Sequence, residues 1–113
     1  MEEKSYIPYR SIADHIDIGL SDILIIASDI TKIAFQAKRM EGEFDINVFI
    51  DSFMQRITMS GTLILPAYNF HLKSGQEFDL KRTLPTTGAL PLAAFKRTDF
   101  CRTWHPLHSF LAW

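Results

Sequence analysis

The stretches SDILIIASDI, residues 21–30, and SGTLILP, residues 60–66, decide the fold of this 113-residue chain. Each holds a short, continuous apolar run next to turn-forming residues, which is typical of a fully buried parallel strand. Between them, Asp45 is the predicted N-cap of a helix that runs to Met59. We expect Gly61 in the left-handed region that ends such a helix. A strand, a helix and a strand in this order predict a parallel crossover and an α/β fold.

Patterns on either side of the crossover predict further elements. Apolar residues three and four apart in residues 9–16 predict a short amphipathic helix, and residues 89–96 predict another that starts after Thr87-Gly88. Residues 100–103 and 108–113 are predicted as two extended pieces. The last of them ends the chain as an apolar strand without visible cover, so we expect association between copies through it. The sequence thus predicts a βαβ-based mixed sheet with flanking helices, in a single domain over residues 1–113.

The charge balance excludes two classes of protein and divides the chain into halves of opposite sign. With 12 Lys+Arg against 13 Asp+Glu, the chain is neither a polycationic nucleic-acid coat nor a disordered acidic tail. Residues 1–70 carry a net charge of −4 and residues 71–113 a net charge of +3. The positive segment is suited to an anionic ligand, because one sign of charge concentrates the opposite one. The alternative is that these charges are scattered over a solvated face.

The single cysteine and the N-terminus bear on location. Cys101 alone permits neither an internal disulfide nor a CxxC metal knuckle, and we expect it to be a small buried apolar residue. The start MEEKSYIPYR lacks a cationic region followed by an apolar run, and no apolar stretch approaches the roughly 18 residues of a membrane span. We therefore expect a cytoplasmic protein with no membrane and no nucleic-acid partner.

One polar cluster stands out after the common motifs are excluded. The chain has no GxxxxGK[ST], GxGxxG, GxSxG or HExxH pattern. What remains is RTWHPLHS, residues 102–109, whose guanidinium, hydroxyl and imidazole groups suit a phosphate or carboxylate. His105 and His108 are three residues apart across a proline with no carboxylate nearby, so no metal is expected. Ser28 and Asp29 follow the first strand, where α/β sheets bind ligands, or alternatively cap the next turn.

A family resemblance gives these motifs a common meaning. The succession of SDILIIASDI, GTLILPAYNF, the pair Phe78-Asp79, TTGALP and CRTWHPLHSFLAW resembles the antibiotic N-acetyltransferase family, whose best-known members are the aminoglycoside 3-N-acetyltransferases. The resemblance runs from about Ile12 to Trp113. It implies the N-terminal portion of that family's fold, and transfer of an acetyl group from acetyl-CoA to an amino group of an aminoglycoside or other amino sugar. The alternative is a non-catalytic remnant or binding module that retains part of the CoA pocket.

The resemblance also implies roles for individual residues. It places acetyl-CoA, as co-substrate, against Ser28, Thr62, Thr87, Gly88, Arg102, Thr103, His105 and Ser109. Asp29 replaces a serine of the family's His-Ser-Ser start, and its carboxylate would repel phosphates, so we expect it to face the sugar amine. The family's catalytic histidine belongs to a later H-x-x-E-like element with no counterpart before Trp113. No catalytic residue is therefore assigned, and the chain is expected to be the N-terminal part of an incomplete enzyme.

Overall fold

Two parallel strands joined by a pair of helices form the centre of the fold. The computed structural model describes residues 6–27, 29–68, 78–105 and 109–113. Strand β1 (Ile23–Ile25) pairs in parallel with strand β2 (Thr62–Pro66), so that Ile23 lies opposite Thr62. Helices α1 (Thr31–Glu41) and α2 (Ile46–Ile57) connect them. The predicted crossover is confirmed, with two helices in place of one.

Helix α1 is the element that the sequence analysis missed. It begins where the carboxylate of Asp29 accepts a hydrogen bond of 2.9 Å from the Thr31 N–H, and it ends at Gly42, whose φ of 82° is left-handed. Ala37 is buried, whereas Phe35 and Met40 are exposed. With so narrow an apolar side, the periodic pattern of this helix is weak, and the capping residues are its clearer signal.

Helix α2 begins as predicted, and the turn after it differs from the prediction. The Asp45 side chain accepts hydrogen bonds from the N–H groups of Asn47 and Val48, at 2.9 and 3.3 Å. A short 3₁₀ turn, Thr58–Ser60, follows the helix. Gly61 is extended, with φ −116°, so the left-handed expectation was wrong. Glycine is required there because a Cβ would collide with the Ile57 side chain and the Asp22 carbonyl.

The C-terminal strand lies inside the sheet. The strand order is β1-β2-β4-β3, in which β4 (Phe110–Ala112) is antiparallel to both β2 and β3 (Cys101–Arg102). Both predicted extended pieces are thus confirmed as strands. The expectation of an exposed C-terminal strand was wrong, because β4 is hydrogen-bonded along both edges and Leu111 is only 2% exposed. That strand offers no free edge for association. Cys101, expected to be buried, is exposed on the edge strand β3.

Helices cover one face of the sheet in the described part of the chain. Leu63, Leu65 and Leu111 are buried there against α2 and α3 (Ala89–Phe95), and the predicted N-terminal helix is a 3₁₀ helix, Tyr9–His15, beside α2. On the other face Ile23 and Ile25 are 71% and 58% exposed. The expectation that the first strand is fully buried was therefore wrong. None of the helices in the described ranges is long and apolar enough to cross a membrane.

Candidate functional site

A cleft of about 530 Å³ opens beyond the carboxyl ends of β1 and β2. This is the end of the strands at which open α/β sheets bind ligands, and the volume is in the usual range for a small-molecule site. The residues that line it follow the two strands or begin α3. They are Ile26, Ala27, Asp29, Ile30, Thr31, Pro66, Tyr68, Thr87, Gly88, Ala89, Leu90 and Pro91.

The segment after β2 fixes one wall of the cleft. The Pro66 carbonyl accepts a hydrogen bond of 2.7 Å from the Thr87 hydroxyl. The Tyr68 carbonyl accepts two from Thr86, at 2.8 Å from its N–H and 3.2 Å from its hydroxyl. These bonds hold residues 86–88 against the end of the strand. As a result, α3 begins at the cleft.

Gly88 sets the entry into α3. Its φ of 119° and ψ of −178° belong to a region that is essentially restricted to glycine. The Gly88 carbonyl accepts from the Leu92 N–H at 3.4 Å, which starts the helix. No described side chain caps this terminus, so the N–H groups of Ala89 and Leu90 face the cleft without a side-chain acceptor.

Asp29 combines the two roles that the sequence left open. Its Oδ1 accepts from the Thr31 hydroxyl at 2.5 Å and from the Thr31 N–H at 2.9 Å, so it caps the start of α1. Its side chain is exposed and also lines the cleft. The hydroxyl and the N–H of Thr31 lower the pKa of Asp29. The carboxylate is therefore charged at neutral pH.

The RTWHPLHS element brings Arg102 and Ser109 together behind the cleft wall. Arg102 Nε donates to Ser109 Oγ at 2.8 Å, and its other guanidinium nitrogens donate to the carbonyls of Thr83 and Ala67. The guanidinium lies 4.8 Å from the ring centroid of Phe78. Burial lowers the pKa of Arg102 from its ordinary value.

The remaining predicted contacts are spread over the fold. Thr103 and His105 are exposed between β3 and β4, where the Thr103 hydroxyl accepts from the Phe110 N–H at 2.8 Å. Thr62 begins β2, at the opposite end of the strand from the cleft. Ser28 and His108 lie outside the described residues.

The structure therefore brings only part of the predicted set to one place. Asp29, Thr87 and Gly88 line the cleft, and the CoA and acceptor contacts assigned to the predicted residues stay predictions. Sequence reasoning missed Tyr68 and the apolar lining. Their only signal was that they directly follow a predicted strand. Among the described residues, no three His, Cys, Asp or Glu side chains converge as a metal-binding group.

Comparisons with solved structures show the fold. YokD from Bacillus subtilis superposes with a TM-score of 0.77 at 17% identity, over 95% of this chain and 50% of that one. AAC-IIIb in a binary complex with CoASH gives 0.72 at 15% identity, over 96% and 46%. A mutant of aminoglycoside acetyltransferase AAC(3)-IVa in complex with apramycin gives 0.70 at 16% identity, over 98% and 44%. The chain thus spans about half the length of these proteins or slightly less.

A family model supplies the sequence-level match. None of the curated proteins compared with the chain matches it significantly. The model described as aminoglycoside 3-N-acetyltransferase matches residues 28–113, which include every lining residue of the cleft except Ile26 and Ala27. This match extends over most of the chain. The chain belongs to the aminoglycoside 3-N-acetyltransferase family.

Proposed function

We propose that this chain supplies the CoA-binding part of an acetyl-CoA-dependent N-acetyltransferase, whose acceptor is an amino group of an aminoglycoside or other amino sugar. The observation that carries the proposal is the cleft at the carboxyl ends of β1 and β2, within a chain of this family. A relative with this fold was solved with CoASH, and others with apramycin and a gentamicin. These ligands support the two substrate classes that we assign.

The cleft has chemistry suited to CoA. Its apolar wall, which includes Ile26, Ile30 and Leu90, can cover the pantetheine arm. At one end, the Ala89 and Leu90 N–H groups and the Thr87 hydroxyl offer donors to a phosphate. We assign the diphosphate of CoA to this end.

Asp29 suits the acceptor rather than the cofactor. Its carboxylate stays ionised because Thr31 lowers the pKa of Asp29, and a fixed negative charge attracts an ammonium and repels a phosphate. An amino group near pKa 10 must lose its proton before it attacks the thioester. A carboxylate with a lowered pKa is a weak base, so Asp29 binds and orients the ammonium, and a separate general base removes the proton. We assign that base to no described residue.

CoA binding by the 113-residue chain is the test. Isothermal calorimetry should give saturable binding of CoA, and thiol release from acetyl-CoA with apramycin as acceptor should measure transfer. Binding with transfer supports the enzyme, and binding without transfer supports a CoA-binding part that needs the remainder of the fold. A folded sample that binds no CoA contradicts the proposal.

Two glycines provide a matched pair of variants. Gly88 and Gly42 both have positive φ, and a Cβ added at either would meet nothing within 4 Å, so alanine introduces backbone strain in both cases. Only Gly88 lines the cleft. We expect both substitutions to lower stability, and only Gly88→Ala to weaken CoA binding, by about tenfold. Equal losses of affinity in the two variants would argue against a CoA site at this end of α3.

A further inference from the structure

We propose that Arg102 and Ser109 are positioning residues, which hold residues 66–68 in place as the wall of the cleft and make no contact with CoA. The family resemblance assigns both residues to the cofactor, so this inference gives them a different role. Its consequence for CoA affinity rests on the proposed function. Its structural content does not.

The donors of Arg102 point into the protein. Nε donates to Ser109 Oγ at 2.8 Å, one terminal nitrogen donates to the Thr83 carbonyl, and the other donates to the Ala67 carbonyl at 3.2 Å. An arginine that binds a phosphate presents two parallel N–H groups to it. Here each guanidinium nitrogen already donates to a group of the protein, and Arg102 does not line the cleft.

Two aromatic rings hold the guanidinium plane. The guanidinium carbon lies 4.8 Å from the Phe78 centroid and 5.2 Å from the Phe95 centroid. A flat, delocalised cation makes favourable contacts with ring faces, whereas an ammonium does not reproduce the planar fork. This site therefore requires the shape of arginine as well as its charge.

Ser109 is committed in the same way. It is 0% exposed, and its hydroxyl donates to the Ala67 carbonyl at 2.8 Å while it accepts from Arg102. The Ala67 N–H in turn donates to the Ser109 carbonyl at 2.8 Å. A hydroxyl with no accessible surface and both of these partners holds the backbone at Ala67 and does not reach a ligand in the cleft.

These contacts connect both sides of the wall. Ala67 is bound by Arg102 and Ser109, and its two neighbours, Pro66 and Tyr68, are bound by Thr87 and Thr86. A loosened Ala67 should therefore weaken the bonds that place residues 86–88 at the cleft. The RTWHPLHS element acts on the cleft through the backbone of residues 66–68.

Amide hydrogen exchange of the ligand-free chain tests the connection without any cofactor. Ser109→Ala should speed exchange of the Thr86 N–H about fivefold, because loss of a hydrogen bond to Ala67 destabilises the wall. Ser52→Ala is the matched control, since Ser52 is also buried and its hydroxyl donates to a carbonyl, that of Phe49, within α2. The control should leave Thr86 exchange unchanged. No change at Thr86 in Ser109→Ala, or an equal change in both variants, overturns the proposal.

Conservative substitution of Arg102 separates positioning from phosphate binding. Arg102→Lys and Arg102→Gln should weaken CoA and 3′-dephospho-CoA by the same factor, about fivefold, because neither restores the stacked fork. Binding restored by lysine and lost with glutamine, with a greater loss for CoA than for its dephospho form, would overturn the proposal. If Arg102→Gln does not fold, Arg102→Lys and Ser109→Ala still decide the matter. A wild-type chain that binds no CoA refutes the proposed function, and the exchange result still decides the positioning role.

Discussion

The two ends of strand β2 are built for different purposes. At its start, Gly61 packs against Ile57 and the Asp22 carbonyl, and the Thr62 N–H donates to the same carbonyl at 3.0 Å. At its end, the backbone of residues 66–68 binds side chains from two distant segments and forms a wall of the cleft. The start brings backbones into close contact, whereas the end organises a site.

This difference divides a motif that reads as one unit in the sequence. GTLILP, residues 61–66, is a continuous feature of the family resemblance. Its first residues are determined by packing and its last residue by the geometry of the cleft. We therefore expect substitutions at the start of β2 to change stability and substitutions at the end to change ligand affinity.

Gly61→Ala should have the largest effect on stability. Its Cβ would overlap the Ile57 side chain and the Asp22 backbone, and backbone can yield only by separating β1 from β2. We expect a loss of about 3 kcal/mol in the free energy of unfolding, measured by urea denaturation. CoA affinity per folded molecule should be unchanged.

Gly19→Ala is the control for that experiment. A Cβ at Gly19 would lie 3.2 Å from a carboxylate oxygen of Asp22, a side-chain atom that can move slightly. We expect a loss of no more than about 1 kcal/mol. If Gly61→Ala were as mild as Gly19→Ala, the close packing at the start of β2 would not be what requires glycine there.

Thr87→Val tests the other end of the strand. The substitution removes the hydroxyl that donates to the Pro66 carbonyl and keeps the shape of the side chain. We expect CoA affinity to fall about fivefold and stability to fall by about 1 kcal/mol, which is typical of one hydrogen bond. Calorimetry and urea denaturation measure the two quantities. A loss of stability with full CoA affinity would show that the wall does not depend on this bond.

Asp29→Asn should have a smaller effect, and its influence on stability should depend on pH. Thr31 lowers the pKa of Asp29 below its unfolded value of about 3.9, so the carboxylate stabilises the fold above that pH. The contribution is lost as pH falls through the lower, folded pKa. The stability advantage of the wild type over Asp29→Asn should therefore be present at pH 7 and shrink between about pH 4 and pH 2. A difference that stayed constant with pH would contradict the bond to Thr31.

The sequence predicted the elements whose signals are local. Asp45 supplies an N-cap, and the apolar runs that became β1 and β2 are short and continuous, so the crossover was predictable. Helix α1 was missed because its apolar side is narrow. The position of β4 inside the sheet was not predictable, since strand order depends on contacts between residues distant in the chain.

The candidate site was predictable only in part for the same reason. Thr87 and Gly88 adjoin a helix start, so their place at the cleft follows from local chemistry. Ser109 and Ala67, in contrast, are 42 residues apart, and nothing in either segment indicates their hydrogen bond. A motif rich in donors indicated a ligand, whereas two of its polar groups bind the protein itself.

Thr62→Val should have the smallest effect, and it tests the comparison most directly. The family resemblance assigns Thr62 to the cofactor, whereas its position at the start of β2 is about four residues, or roughly 13 Å, from the cleft end. Valine keeps the β-branched shape and the N–H that donates to Asp22, so stability should change by no more than about 0.5 kcal/mol. CoA affinity, measured by calorimetry beside Thr87→Val, should stay at the wild-type value. A loss as large as that of Thr87→Val would mean that the cofactor reaches both ends of the strand, and that the division between packing and binding along β2 does not hold.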